Sequence, residues 1–599
     1  MEVSAPVVIC ARGLDDSRSI ETVTLAWNRD QRWVQRVVDR REIADQRLIV
    51  GLAAFGLPVT TSNSRMLVEY LDRFESANRH CLPIIRFSPK MGWQGVDGVD
   101  GFLCGRILIT QAGIHVSDNS ALSADVSLVK FRGADTGDDQ LADGYYQSGS
   151  LNNWLNAIKP LSAMPRAMVA FYAAFVPAML PIIRASNFVI DFAGETSGGK
   201  TTMLCVAASC WGSPRLNASG APAAMSTWNS TAVWRERAPA VCNNMPLILD
   251  ETQNFRNPEE IRKTIYGVVQ GRSRGRGTVS GLARSETCQT VLLSSGEQPL
   301  TSFTKDAGTR PRVLSFWGSP FGAKNEQSRQ RAESLDSTIG DKFGHAGPLF
   351  VKFLQNRRHR WGIYRKRFDE LRAFYAKKAG DNVIAGRMAN SFAAIHTTAL
   401  LVHLSLGKPW AFRVPIEPVW DELIGTTGEA DIALRALRYT AEWAVAHRAE
   451  FYGLGMSDSK GPSRGWVGRW DGEQVCSSPK SRAASWIGFI PHCLREVLVA
   501  EGFEYESITR SWKQRGWLIT DDVKHNTKKA QIAHATTRLI AIRRSEIEKI
   551  NRIDVVEAVR QESHCDSDEP GPYDCEPDLD LTHDPYDPCP YDRVHCVSH

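Results

Sequence analysis

"DFAGETSGGKTTMLCVAA", residues 191–208, begins inside an apolar run and ends in residues with helical spacing. From Gly194 to Thr201 it fits G-x-x-x-x-G-K-[ST] at every fixed position. "NFVIDFA" before it reads as a strand and "TTMLCVAASCWG" after it as a helix, the frame that gives such a loop meaning. Glycine lets the backbone amides turn inward, so that N–H groups and a helix N-terminus can hold phosphate oxygens. Gly194, Glu195, Thr196, Ser197, Gly198, Gly199, Lys200, Thr201 and Thr202 are therefore expected to cradle ATP. Lys200 would reach the β- and γ-phosphates, and Thr201 would offer its hydroxyl to Mg²⁺.

Two further strand ends supply chemistry. "MPLILDE" (245–251) is an apolar strand closing on two carboxylates; Asp250 suits the Mg²⁺ shell and Glu251 the activation of water. "TVLLSSGE" (290–297) carries Ser294 and Ser295, and Ser295 is the expected contact to the γ-phosphate or its water. Arg310 and Arg312 in "DAGTRPRVLSF" could serve a neighbouring subunit's nucleotide, because charge building on the γ-phosphoryl needs another cation. Between these strands, "YGVVQGRSRGRGTVSGLARSETC" places Arg272, Arg274 and Arg276 in a Gly/Ser-rich context with a hairpin turn at Ser280-Gly281. Such a hairpin could face the pore of a ring and grip a phosphate backbone. The apolar runs from 151 to 345 alternate with helical patterns, the rhythm of a parallel α/β sheet.

Beyond this core, 599 residues exceed what one hydrophobic core serves. The net charge of +5 conceals an acidic end: residues 561–599 hold eleven Asp/Glu against one Arg, leaving about +15 on the remainder. A basic body suits a polyanion partner. Thirteen cysteines without a CxxC pair read as reduced cytosolic thiols. The N-terminus lacks a basic n-region, so no signal peptide is expected. The longest uncharged stretch, Ala167–Ile183, is short for a membrane span and holds Pro177 and Pro181; it is expected as one buried helix.

The expected organisation has five parts: an α+β domain (1–150), the ATPase core (151–345), a helical lid (346–455), a linker with a winged-helix unit (456–558) and an acidic, disordered tail (559–599). In the fourth part, "YESITRSWKQRGWLI" reads as a recognition helix turning into a strand, followed by a basic wing. Lys513, Arg515, Lys528 and Lys529 are its candidate DNA contacts. The tail holds Cys565, Cys575, Cys589 and Cys596, whose intervals match no compact zinc-finger spacing.

Taken together, "VVDRREIADQRLIVGLAAFGLPV", "GETSGGKTT", "STWNSTAVWRERA", "LILDET", "GRSRGRG", "LLSSGE", "AGTRPRVL" and "GRMANSFAAI", in that order, resemble the bacterial family called domain of unknown function 927. The resemblance covers nearly the whole chain except the tail. It implies an AAA+ P-loop ATPase core related to MCM-type helicases, in a cytoplasmic, hexameric ring that threads single-stranded or forked DNA for a prophage, plasmid or other mobile element. It also implies that Arg312 is the arginine of the strand after the sensor and that Arg387 opens a lid helix as a second sensor. This chain departs from the family at Cys288, where tryptophan is usual. No primase-type acidic cluster is present, so a primase would be a separate chain. Two other readings share the motifs: an ATP-switched DNA-binding regulator, and a DNA packaging or defence ATPase.

Overall fold

The structure is a computed structural model. It describes the chain except residues 1–4, 16–19, 117–128, 196–197, 216–221, 253–256, 274, 276, 279–280, 283–284, 304–309, 323–325, 381, 408–415, 431, 454–460, 464, 471–485, 502, 522–524, 534 and 549–599. Two compact units divide it, Met1–Ile424 and Gly425–His599. The expected linker around 456–465 lies largely, and the acidic tail wholly, outside the described residues.

The first unit begins with a five-stranded sheet in the order Arg32–Asp39, Ile20–Arg29, Val7–Asp15, Ile84–Ser88, Val129–Phe131. Val7–Asp15 alternates buried and half-exposed residues, the period-two signature of a strand with one packed face. Ile9, Leu25 and Trp27 bury against Leu67 and Leu71 of the helix Ser64–Asn78. "RREIADQRLIVGLAAFG" does not form one helix. It breaks at Asp45, whose carboxylate accepts from the N–H of Arg47 at 2.7 Å and starts a new turn. An aspartate competes in this way with the backbone it would otherwise extend.

The central sheet is parallel throughout. Its strands are β1 (Phe188–Ala193), β2 (Ser226–Thr227), β3 (Leu247–Asp250), β4 (Val291–Gly296) and β5 (Val313–Trp317), in the order β2-β3-β4-β1-β5. β1, β3 and β4 are buried along their whole length, as parallel strands covered on both faces must be. Helix α1 (Lys200–Ser209) follows β1 and is itself almost wholly buried. Ala167–Ile183 is buried as expected, yet as two helices rather than one: Pro165–Ala173 and Val176–Ile183 meet at 63°. Pro177 lies in the first turn of the second helix, where its missing N–H costs nothing and its ring prevents continuation. Among the described residues no single helix is long and apolar enough to cross a membrane.

Helix α2 (Pro258–Gln270) leads into the arginine hairpin, whose strands Gly277–Thr278 and Gly281–Leu282 pair antiparallel. After β5 come α3 (Glu326–Asp341) and a helical layer that includes α4 (Val383–Ser405).

The second unit contains α5 (Ile432–Ala446), β6 (Trp486–Phe489), α6 (Pro491–Ala500), α7 (Tyr505–Gln514), β7 (Leu518–Ile519), β8 (Lys528–Ile532) and β9 (Ala535–Arg543). β9 pairs with β6, β7 and β8. α5, read from sequence as part of the lid, packs here against α6 and α7. The indole of buried Trp512 donates to the carbonyl of Ala433 at 2.8 Å, tying α7 to α5.

Candidate active site

The glycine-rich loop leaves the C-terminal end of β1 and enters α1. Gly199 immediately precedes α1 at φ 77°, and a Cβ there would lie 2.5 Å from Cδ2 of Phe321. Both the left-handed backbone and the ring against it require glycine. Lys200 is 9% exposed, and its ammonium donates to the carbonyls of Gly194 at 2.9 Å and Glu195 at 2.6 Å. The ammonium is thus folded over its own loop. Gly198, Thr201 and Thr202 are half-buried around it, while Thr196 and Ser197 lie outside the described residues.

Three strand ends meet the loop. Asp250, at the end of β3, accepts from the Thr201 hydroxyl at 3.3 Å and from the Ser295 hydroxyl at the end of β4. The N–H of Glu251 donates to the same Ser295 oxygen at 3.3 Å, with Glu251 at φ 64°. A non-glycine residue in that region stores roughly 1–2 kcal/mol of backbone strain, which neighbours must hold in place. Here Ser295 and the Trp228 N–H, which donates to the Asp250 carbonyl at 3.0 Å, are those neighbours. Ser294 accepts from the Trp228 indole at 2.9 Å. The serine expected to reach phosphate therefore also braces the Asp250 carboxylate and the backbone of Glu251.

The sequence reading missed Asp191 and Arg166. Asp191 is fully buried in β1, and its Oδ2 accepts from the Leu300 N–H at 2.7 Å and the Ser315 hydroxyl at 2.6 Å. It ties β1 to β5 and to the segment after β4, and burial pushes its carboxyl up to about 7. A carboxylate inside "NFVIDFA" was the available signal. Arg166 donates to the Trp317 carbonyl at 2.7 Å and pairs with Glu422 through two nitrogens, at 2.9 and 2.5 Å. Nothing in the sequence marks that pairing. Beside the loop, across Phe321, lies a cavity of about 290 Å³ lined by Ala157, Leu161, Met164, Phe321, Gln330 and Leu335.

Arg312 is not near this loop. It stands before β5, level with the start of β1, whereas the loop follows the end of β1. The separation is about 20 Å at the rise of a strand. It lines a polar cavity of about 520 Å³ with Asn187, Asn243, Gln270, Thr287 and Cys288, at the root of the hairpin. The turn Arg310–Arg312 packs on α4, whose first turns carry the exposed Arg387. Arg272 is exposed at the hairpin root; Arg274 and Arg276 lie outside the described residues. In the second unit Arg515 and Lys529 are exposed. Lys513 donates to the His525 carbonyl at 2.9 Å and Lys528 pairs with Asp521 at 3.6 Å, so both also stabilise the fold around β8.

Among the described residues no group of three or more His, Cys, Asp or Glu is placed to hold a metal by itself. The Thr201 hydroxyl and Asp250 carboxylate are hard oxygen donors side by side. One or two such donors completed by phosphate oxygens is the usual Mg²⁺ arrangement, so these residues fit that ion.

No curated protein matches the chain significantly. Among solved structures it is similar to "SCCmec type IV Cch - active helicase", with a TM-score of 0.64, at 17% sequence identity, over 92% of this chain and 95% of that one. At that identity the likeness is one of fold. Residues 431–545, from α5 to β9, match the model of the Cch helix turn helix domain. The model of domain of unknown function 927 matches residues 1–288, a shorter span than the motifs suggest.

Proposed function

We propose that the chain is an ATP hydrolase that drives movement on DNA, a helicase-type motor of AAA+ architecture. The observation that carries this is the convergence of Lys200, Thr201, Asp250, Glu251 and Ser295 at the C-terminal ends of three adjacent parallel strands. Ligands of open α/β sheets bind at that edge. On this reading the Lys200 ammonium exchanges the carbonyls of Gly194 and Glu195 for phosphate oxygens. Thr201 and Asp250 hold Mg²⁺, which when bound neutralises charge on the phosphates. Glu251 takes a proton from the water whose oxygen attacks the γ-phosphorus, while ADP departs with the electrons of the broken P–O bond. Ser295 keeps Asp250 and Glu251 in register. The 290 Å³ cavity is the place for the base.

Arg312, about 20 Å from its own loop, can serve as a finger only for a neighbouring copy, which favours a ring, with a hexamer as the working assumption. Arg387 is the proposed second sensor. Arg272, Arg274 and Arg276 of the hairpin would grip the DNA backbone. The second unit is read as a winged helix in which Arg515 and Lys529, with Lys513 and Lys528, contact phosphates. The five-part division, a cytoplasmic setting, a mobile-element origin and a separate primase or initiator belong to the same proposal. A DNA-binding regulator switched by ATP is the second reading; Glu251 beside Asp250 favours turnover over a static switch. Steady-state ATP hydrolysis with and without single-stranded and forked DNA, with Lys200→Ala as blank, tests the proposal. A severalfold rise with DNA that the variant abolishes supports the motor. Robust hydrolysis indifferent to DNA refutes it.

A further inference from the structure

The arginine hairpin is rooted on more than the sheet that carries it. Its two legs are zipped at the base: the Ser273 N–H donates to the Glu286 carbonyl at 2.7 Å, and the Cys288 N–H to the Gly271 carbonyl at 2.9 Å. Onto the outgoing leg comes one side chain from nearly two hundred residues upstream. The Lys90 ammonium pairs with the Glu286 carboxylate at 2.7 Å and donates to the Thr287 carbonyl at 3.0 Å.

Lys90 is itself held. The Ser88 hydroxyl donates to its carbonyl at 3.0 Å, as does the Gln94 amide at 3.0 Å. The next residues are bolted to the Asn243-Asn244 turn that precedes β3. The Asn244 side-chain oxygen accepts from the Trp93 N–H at 3.3 Å, and the Asn243 amide donates to the Met91 carbonyl at 3.4 Å. Gly92 lies at φ 85°, where a Cβ would stand 2.3 Å from the Asn243 carbonyl oxygen, so no side chain can separate the two segments. The same asparagines grip Gln289 where the hairpin returns to the sheet. The Gln289 N–H donates to Asn243 at 3.0 Å, and the Asn244 N–H donates to the Gln289 carbonyl at 2.7 Å. Two residues later β4 begins, the strand that ends in Ser294 and Ser295.

We propose that Lys90 is a positioning residue for the arginine hairpin, through which residues 88–94 fix the hairpin root against β4. The proposal rests on the motor reading above. A hairpin loaded by DNA moves β4 only if its root does not yield, and the brace is what denies it that freedom. Ser295 then carries the displacement to Asp250 and Glu251. The Lys90 and Glu286 side chains are 23% and 45% exposed, and an ion pair of that exposure adds little to global stability. Removing it loosens the root without unfolding the chain.

The test uses the full-length protein and reads the ratio of DNA-stimulated to basal ATP hydrolysis. Lys90→Met should lower that ratio severalfold while the basal rate stays within about twofold. Lys90→Arg should keep most of the stimulation, because a guanidinium can still serve both acceptors. Glu286→Gln separates bracing from mere charge. Removing a carboxylate beside a DNA-gripping hairpin should raise stimulation if net charge alone matters, and should lower it if the pair positions the root. Full stimulation in Lys90→Met, or a rise in Glu286→Gln, overturns the brace while leaving the motor reading intact. A wild-type protein that DNA does not stimulate at all overturns both.

Discussion

Gly199→Ala puts a number on the proposed nucleotide loop. Two costs follow from the geometry. At φ 77° an alanine pays the left-handed penalty, about 1–2 kcal/mol. Its methyl would also sit 2.5 Å from Cδ2 of Phe321, a ring only 5% exposed, and displacing such a ring costs about 1–3 kcal/mol. If the loop must keep its shape to bind phosphate, the sum of about 2–5 kcal/mol appears in nucleotide affinity, at least about thirtyfold in Kd. A double-mutant cycle separates the two parts. In a Phe321→Ala background the ring is gone, and substituting Gly199 should cost only the backbone share, about fivefold to thirtyfold. Titration of a fluorescent ATP analogue into the four proteins gives all the constants required. A loss below about threefold for Gly199→Ala, or the same loss in both backgrounds, would refute the claim that this glycine and this ring shape the cradle.

Glu251→Gln should abolish steady-state hydrolysis while leaving the affinity for the ATP analogue within about threefold, since in the proposed mechanism the carboxylate activates water and does not hold phosphate; equal loss of binding and turnover would demote it to a structural role. Asp191→Asn should change how stability depends on pH. Burial holds the Asp191 carboxyl at about 7 against an ordinary value of 3.8, so between those values the folded chain keeps a proton that the unfolded chain has released. The stability this group contributes is complete below about pH 4 and is lost as pH rises to 7, by at most about 4 kcal/mol. Melting curves across that range should therefore show the variant gaining on the wild type as pH rises, and parallel curves would contradict this.

Much of the architecture was legible because its signals are local. A parallel strand buried on both faces must be a continuous apolar run, so "NFVIDFA", "MPLILD" and "TVLLSS" announced themselves. The loop between β1 and α1 was legible for a similar reason: a tight turn against a ring tolerates glycine and little else. Helix breaks were less visible. The apolar period runs unbroken through Asp45 and across Ala174–Phe175, yet a side-chain cap at the first and Pro177 after the second decide the outcome. The helix Ile432–Ala446 has ordinary amphipathic spacing, and only the Trp512 indole on Ala433 shows which unit owns it.

By itself, then, the sequence determined the elements whose geometry depends on neighbours along the chain: the buried strands, the glycine loop, the carboxylates that end β3 and the basic hairpin. The tertiary structure alone decided what meets at a distance. It put Ser295 onto Asp250 and Glu251, sent Arg312 to the far end of the sheet from its own loop, buried Asp191 between two strands, and set Lys90 against Glu286. A single lysine or serine carries no periodic signature, and its partner is chosen by how the sheets and turns pack. That choice is made by contacts across hundreds of residues, which no local pattern encodes.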